Sequence, residues 1–246
     1  MTEELSPDLV LLWRLRETPK RGPKPGLMVD DIVTAAVEVA DAEGLDAVSM
    51  ARVAAHLGNS TMALYRHIKS KRELLMLMAD AALEEPPEFP ADADWRAGMT
   101  LWARGVFAAV SRHRWFVHIP ISAPPFGPRN LMWFDRALGT LRGLDLPHEI
   151  KYSLVMGLVT YVQGGYRLAL DLAAGYAENP APFSGSYAAG LRKVVDPHQL
   201  PALAEMVADG FFEGAEDFEP SDTGDFDFGL SVYLDGVAAQ IERFTR

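Results

Sequence analysis

Between Ser49 and Ile68, two helical stripes are separated only by Gly58, Asn59 and Ser60. Ser49 is a good N-cap, Val53, Ala54 and Leu57 form an inner stripe, and Gly58 is the residue type that ends a helix. Ser60 then caps a segment predicted over Thr61–Ile68. So short a joint cannot fold two helices back side by side; it sets them at an angle, as in a helix-turn-helix. The flanks fit the same unit. Upstream, Val29, Ile32, Val33, Ala36, Val37 and Ala40 keep helical spacing until Glu43-Gly44. Downstream, Ser70-Lys71-Arg72-Glu73 matches a capping box ahead of Leu74, Leu75, Leu77 and Met78.

A helix-turn-helix places its second helix in the DNA major groove, which the net charge taken alone opposes. Over 246 residues there are 34 acidic and 23 basic side chains, for −11 overall. The distribution removes the objection. From Ser49 to Arg72 the chain carries Arg52, Arg66, Lys69, Lys71 and Arg72 with no acid, while residues 81 onward hold 13 bases and 22 acids. The recognition segment opens on the small polar residues Asn59, Ser60 and Thr61, which can approach base edges. Lys71 opens the following helix, where the macrodipole disfavours a cation, and a backbone phosphate at that terminus would account for it.

These residues also resemble a known family. The stretch SMARVAAHLGNSTMALYRHIKSKRELLMLMAD is similar to the DNA-binding domain of the TetR (tetracycline repressor-like) regulators. The resemblance rests on Gly58, the string Leu64-Tyr65-Arg66-His67-Ile68, and Lys71 with Leu74. It implies that Thr61, Met62 and Ala63 read bases and that Tyr65, His67 and Lys71 touch the sugar-phosphate backbone. It also implies that Ser49 and Arg52 lie near phosphate. Leu64 and Ile68 are core by periodicity. Two plainer readings stay open: Tyr65 as core with a wet hydroxyl, and His67 as a cap on the segment's last turn. Met62 and Ala63 would favour a thymine methyl.

The expected fold is all-α: a helix-turn-helix DNA-binding head over residues 27–83 and a larger helical ligand-binding and dimerisation domain over 94–246. Ahead of the head, residues 1–26 form an extension. Its Thr18–Gly26 stretch is rich in Pro and Gly with three bases, as for an arm along DNA, and Pro7–Arg16 reads equally as a short helix or a disordered tail. The acidic, proline-rich Glu84–Asp94 is the expected linker. Helices are expected over about 94–112, 115–121, 128–143, 147–175, 187–194, 198–210 and 226–244.

The resemblance continues more faintly through Trp95-Arg96, RHRWF at 112–116, Gly127-Pro128 and FDFGLSVYLDGV at 226–237, which are similar to a tetracycline-repressor-type C-terminal domain. It implies a homodimer built on the last long helices. Leu154, Gly157, Leu158 and Gly165 are the candidate contacts on one, and Leu230, Tyr233, Leu234, Val237 and Ile241 on the other. It also implies a small-molecule effector among Trp102, Phe107, His113, Phe116, His118, Trp133, Phe134, Tyr161, Gln163 and Arg167. Any one of these residues also reads as ordinary core. His113 and His118 are five apart, off one helical face, so no metal pair is expected. Where the tetracycline repressor has a chelate-binding His-x-x-Thr run, this sequence reads Pro120-Ile121-Ser122-Ala123, so a magnesium–tetracycline ligand is not expected.

No cofactor is implied, and no enzyme signature stands out: there is no H-E-x-x-H, no G-x-S-x-G, no phosphate-cradling Gly loop and no cysteine. The N-terminus lacks the pattern of a secretory signal, and the longest uncharged apolar stretch, Tyr152–Tyr166, is well short of the roughly 20 residues that span a bilayer. A cytoplasmic protein binding a double-stranded DNA operator is expected. The leading reading is a ligand-released repressor. The alternatives are an activator or ligand-independent regulator, or a helical small-molecule carrier or interaction protein with a vestigial helix-turn-helix.

Overall fold

The computed structural model describes residues 5–14, 26–90, 93–120, 126–179, 185–214 and 224–245. Among them there are helices and no strand. The order is α1 (Pro7–Leu12), α2 (Val29–Glu43), α3 (Met50–His56), α4 (Thr61–Tyr65), α5 (Lys71–Ala82), α6 (Trp95–Arg112), α7 (Pro128–Thr140), α8 (His148–Glu178), α9 (Gly185–Val194), α10 (Pro201–Ala208) and α11 (Gly224–Thr245), with 3₁₀ turns at Leu45–Ala47, Phe116–His118 and Phe211–Gly214.

The starts follow the caps. Ser49, Ser60, Ser70 and Asp94 accept from the backbone N–H three residues on, at 3.1, 3.3, 3.1 and 2.8 Å. Pro128 and Pro201 open α7 and α10 at their first turns. The extension resolves in favour of a helix, with Ser6 capping α1 through the N–H of Leu9. Residues 18–25, which hold nearly all of the expected arm, lie outside the described residues.

Four expected elements are shorter than their apolar patterns, among them 198–210, where α10 begins only at Pro201 and stops at Ala208. The segment 115–121 is only a 3₁₀ turn at 116–118. Helix α7 stops at Thr140 rather than 143. Helix α4 stops at Tyr65, where Lys69 reaches back with Nζ to the carbonyls of Tyr65 and Arg66 at 3.2 and 3.4 Å and satisfies the orphan acceptors of its last turn.

Two compact units emerge: residues up to Gln163 with Gly236 onward, and residues Gly164–Asp235. The division falls inside α8 rather than at Glu84–Asp94, because α5 and α7 are joined across the linker by the hydrogen bonds set out below. In the first unit, the head buries Ile32, Ala36, Val39, Val48, Val53, Leu64, Ile68, Leu74 and Met78 in one core, which also takes Leu12 from α1 and Trp115 from beyond α6. Helices α6 and α7 run antiparallel: Gly98 near the start of one lies against Thr140 at the end of the other, and Trp102 meets Trp133 between them. In the second unit Tyr187 and Phe211 pack edge-on against Phe212, at 5.9 and 5.1 Å, and Arg192 pairs with Glu213.

Candidate nucleic-acid interface

The geometry of the turn begins at Gly58, whose φ of +65° is a left-handed conformation that a side chain disfavours. That reversal lets the N–H of Asn59 close on the carbonyl of Ala54 at 2.9 Å. The Asn59 side chain meanwhile donates to Leu57 O at 3.1 Å, so it braces the turn as well as facing solvent. Helix α4 follows at once. Five residues cannot hold a helix in water, so packing must do it: Leu64 and Ile68 are fully buried. Pinning that face inward turns Met62 outward at 68% exposure and Tyr65 at 42%. Thr61, Ala63 and His67 are half-buried, and Arg66 is exposed. Tyr65 is therefore a surface residue, not a core one.

The bases divide into two groups. Arg52 directs Nε to both oxygens of Glu43 at 3.1 and 3.2 Å, and Arg72 places two nitrogens on Asp8 at 3.0 and 2.8 Å. These pairings hold the Glu43 carboxyl below its usual range and both guanidinium groups above theirs. Lys69 is engaged as the cap of α4. Arg66 and Lys71 are exposed and, among the described residues, have no acidic partner. The capping box is displaced by one residue: Glu73 accepts from Lys69 N at 2.6 Å, ahead of the cap. No acid of α4 intrudes on this face.

The expected effector residues are dispersed. Trp102 and Trp133 are buried, 6.1 Å apart and edge-on, with Trp102 Nε1 donating to Trp133 O and Trp133 Nε1 to Glu84 O, both at 2.7 Å. His113 Nδ1 and Trp115 Nε1 both reach Asp41 Oδ1 of the head, at 2.8 and 2.6 Å. Phe116 packs on the head core, and His118 is exposed. Phe107 is half-buried, and Phe134 is edge-on to Tyr152 at 5.8 Å. On α8, Tyr161 and Gln163 are half-buried, whereas Arg167 is exposed near Asp171, at 3.7 Å. Two surface hollows of about 400 and 440 Å³ are lined by other residues, among them Phe89, Asp94 and Arg136 in one and Asp41, Arg114 and Trp115 in the other. Residues 121–123, read against the chelate-binding run, lie outside the described residues.

Of the expected dimer contacts, Leu158, Leu230, Leu234, Val237 and Ile241 are buried within the single chain. Leu154, Gly157 and Tyr233 are half-buried, and Gly165 is exposed.

Sequence reasoning missed the junction between the head and α7. Asp80, buried on α5, accepts from the backbone N–H of Asn130 at 3.0 Å and from its side-chain amide at 3.2 Å. Arg129 donates to Ala81 O at 3.0 Å, and Arg112 pairs with Glu84 at 2.6 Å. A Cβ on Gly127 would overlap the Asp80 carboxylate. The available signal was Asp80 itself, a carboxylate three residues after the buried Leu77.

The family model described as bacterial regulatory proteins, tetR family, matches residues 32–77, and that for the tetracyclin repressor-like C-terminal domain matches residues 87–241. The chain belongs to the TetR family. The HTH-type transcriptional repressor DrrR1 of Streptomyces coeruleorubidus is 36% identical over 242 residues, covering 95% of this chain and 86% of the relative. The tetracycline repressor protein class A from transposon 1721 in Escherichia coli is 27% identical over 216 residues, 86% of this chain and 91% of that protein. The structure of ActR from Streptomyces coelicolor in complex with actinorhodin superposes with a TM-score of 0.70 at 27% identity, over 88% of this chain and 98% of that one. As a TetR-family member the chain is a DNA-binding transcription regulator, and α2–α5 are the part that the family's DNA-binding model spans.

Proposed function

We propose that the chain is a ligand-released repressor. Residues 27–83 read an operator, and residues 94–246 bind the effector and a second copy of the chain. The observation that carries the reading is α4: an acid-free five-residue helix, pinned by Leu64 and Ile68, that turns Met62 and Tyr65 outward, followed by the exposed Lys71, which has no acidic partner among the described residues. Two copies place their α4 helices in successive major grooves, so the operator is an inverted repeat with half-sites about 10 base pairs apart. The exposed Leu168 and Leu172 of α8 and Phe228 and Val232 of α11 support a partner surface there. The effector acts by binding more tightly to the head arrangement that misfits DNA.

The test is selection of bound sequences from random DNA, followed by release with actinorhodin and (S)-DNPA, the compounds held in the ActR structures. Enrichment of an inverted repeat and release by either compound, or by an active member of a wider ligand panel, supports the reading. Weak binding without sequence preference would mark a carrier instead. A reporter downstream of the operator gives the sign of regulation.

Lys71 supplies a sharper expectation. Lys71→Ala should weaken binding to specific and random DNA alike, and lower the slope of log affinity against log salt by about one unit per head. An unchanged slope would remove Lys71 from the phosphate contacts.

A further inference from the structure

Helix α1 precedes the helix-turn-helix, yet it is anchored to it at three points. Leu12 is buried in the head core, the Asp8 carboxylate takes two nitrogens of Arg72, and Arg14 reaches Asp30 in the first turn of α2 at 2.6 Å. Between Leu12 and Arg14, Trp13 points elsewhere. Its indole N–H donates to the carbonyl of Phe126 at 2.7 Å, one residue ahead of Gly127, the N-cap of α7.

The placement braces a joint. Arg72 lies in the first turn of α5, and Asp80 near its far end receives α7; the step of eight residues from one to the other is about 12 Å of helix. Among the described residues, the hydrogen bonds from α5 and its end to the start of α7 run through Asp80, Ala81 and Glu84, and Asp41 of α2 holds His113 and Trp115 beyond α6. Helix α1 adds a separate tie, from the head core and Arg72 through Trp13 to the carbonyl just ahead of α7. We infer that α1 is a strap and that Trp13 is a positioning residue for operator binding: it sets the angle of the head on α7, and thereby the half-site spacing that the dimer accepts. This rests on the repressor reading given above.

The test uses the full-length protein, the selected operator, and derivatives with one or two base pairs inserted between half-sites. Each inserted pair turns one half-site by about 35° and moves it by about 3.4 Å. The wild type should lose about tenfold or more in affinity for one inserted pair. Trp13→Phe keeps an aromatic ring and removes the N–H donor together with the five-membered part of the indole. It should hold the original operator to within about threefold, while the penalty for the inserted pair falls to about threefold or less. Asp8→Asn, which frees the other end of the strap, should move the same ratio in the same direction. A loss of stability alone lowers active protein equally for every operator and leaves the ratio unmoved. If Trp13→Phe melts below the assay temperature, Asp8→Asn at its exposed pair decides the matter. A spacing penalty unchanged in the variants, or absent in the wild type, overturns the strap. Failure of the repressor reading looks different, as no enriched operator for the wild type, and would take the strap's role in spacing with it.

Discussion

Leu64→Ala should abolish operator binding at growth temperature, because it removes the anchor of a helix too short to persist without one. Leu64 is fully buried among the head residues, so truncation to Ala costs about 2–5 kcal/mol, the range of a leucine deletion with an imperfectly collapsing cavity. For a chain of this size that is a fall of roughly 5–15 °C in the melting temperature. The neighbouring Met62→Ala separates folding from recognition. Met62 is 68% exposed, and its loss should change stability by no more than about 0.5 kcal/mol. If its side chain meets a thymine methyl, affinity should fall about tenfold for operators with thymine there and hardly at all for others. Thermal melts and binding to single-base operator variants measure both. Equal melting losses in the two proteins would show that the inner and outer faces of α4 are wrongly assigned.

The second large effect lies at the junction of α5 and α7. Asp80→Ala removes the acceptor of both the Asn130 backbone N–H and its side-chain amide, in a place where water has little access. A lost cap and an unsatisfied buried donor together cost about 2–4 kcal/mol. Gly127→Ala attacks the same contact from the opposite side, since its methyl would stand within 2.9 Å of Asp80 Cβ, and overpacking of this kind costs about 1–3 kcal/mol. The two costs should not add. Once Asp80 is Ala, the carboxyl atoms that the methyl would overlap are gone and only the Cβ contact remains, so the double variant should lose less than the sum of the single losses, a coupling of about 1–3 kcal/mol. Denaturant unfolding of the four proteins reads this directly. Additive losses would mean that Gly127 is there for some reason other than the close approach of Asp80.

These two sites differ in how far they could be read beforehand. The head was legible because each of its boundaries carries its own chemistry: Ser49, Ser60 and Ser70 are short hydroxyl caps found where helices start, and Gly58 takes the left-handed turn. Periodicity told Leu64 and Ile68 from Met62 for the same reason, since burial on a helix repeats with its pitch. The junction was not legible, because a hydrogen bond between Asp80 and Asn130 spans 50 residues of chain, and nothing local to either residue specifies the other. The same holds for Asp41, which gathers His113 and Trp115 from beyond α6; on spacing alone that histidine reads as a pocket residue. Charge runs misled for a related reason. Counting bases from 49 to 72 does not register that Glu43 and Asp8 lie outside the window and next to two of them.

That pairing has a consequence for how the protein finds its site. Surface ion pairs are worth little, so Arg52 and Arg72 can exchange a carboxylate for a phosphate, but each exchange yields only the difference between two similar attractions. Binding to random sequence is almost wholly phosphate attraction and so is weakened most, while the base-edge contacts proposed for Thr61–Ala63 would be untouched. A head that keeps two of its cations occupied dwells for less time at each wrong position and samples more of the genome before it stops.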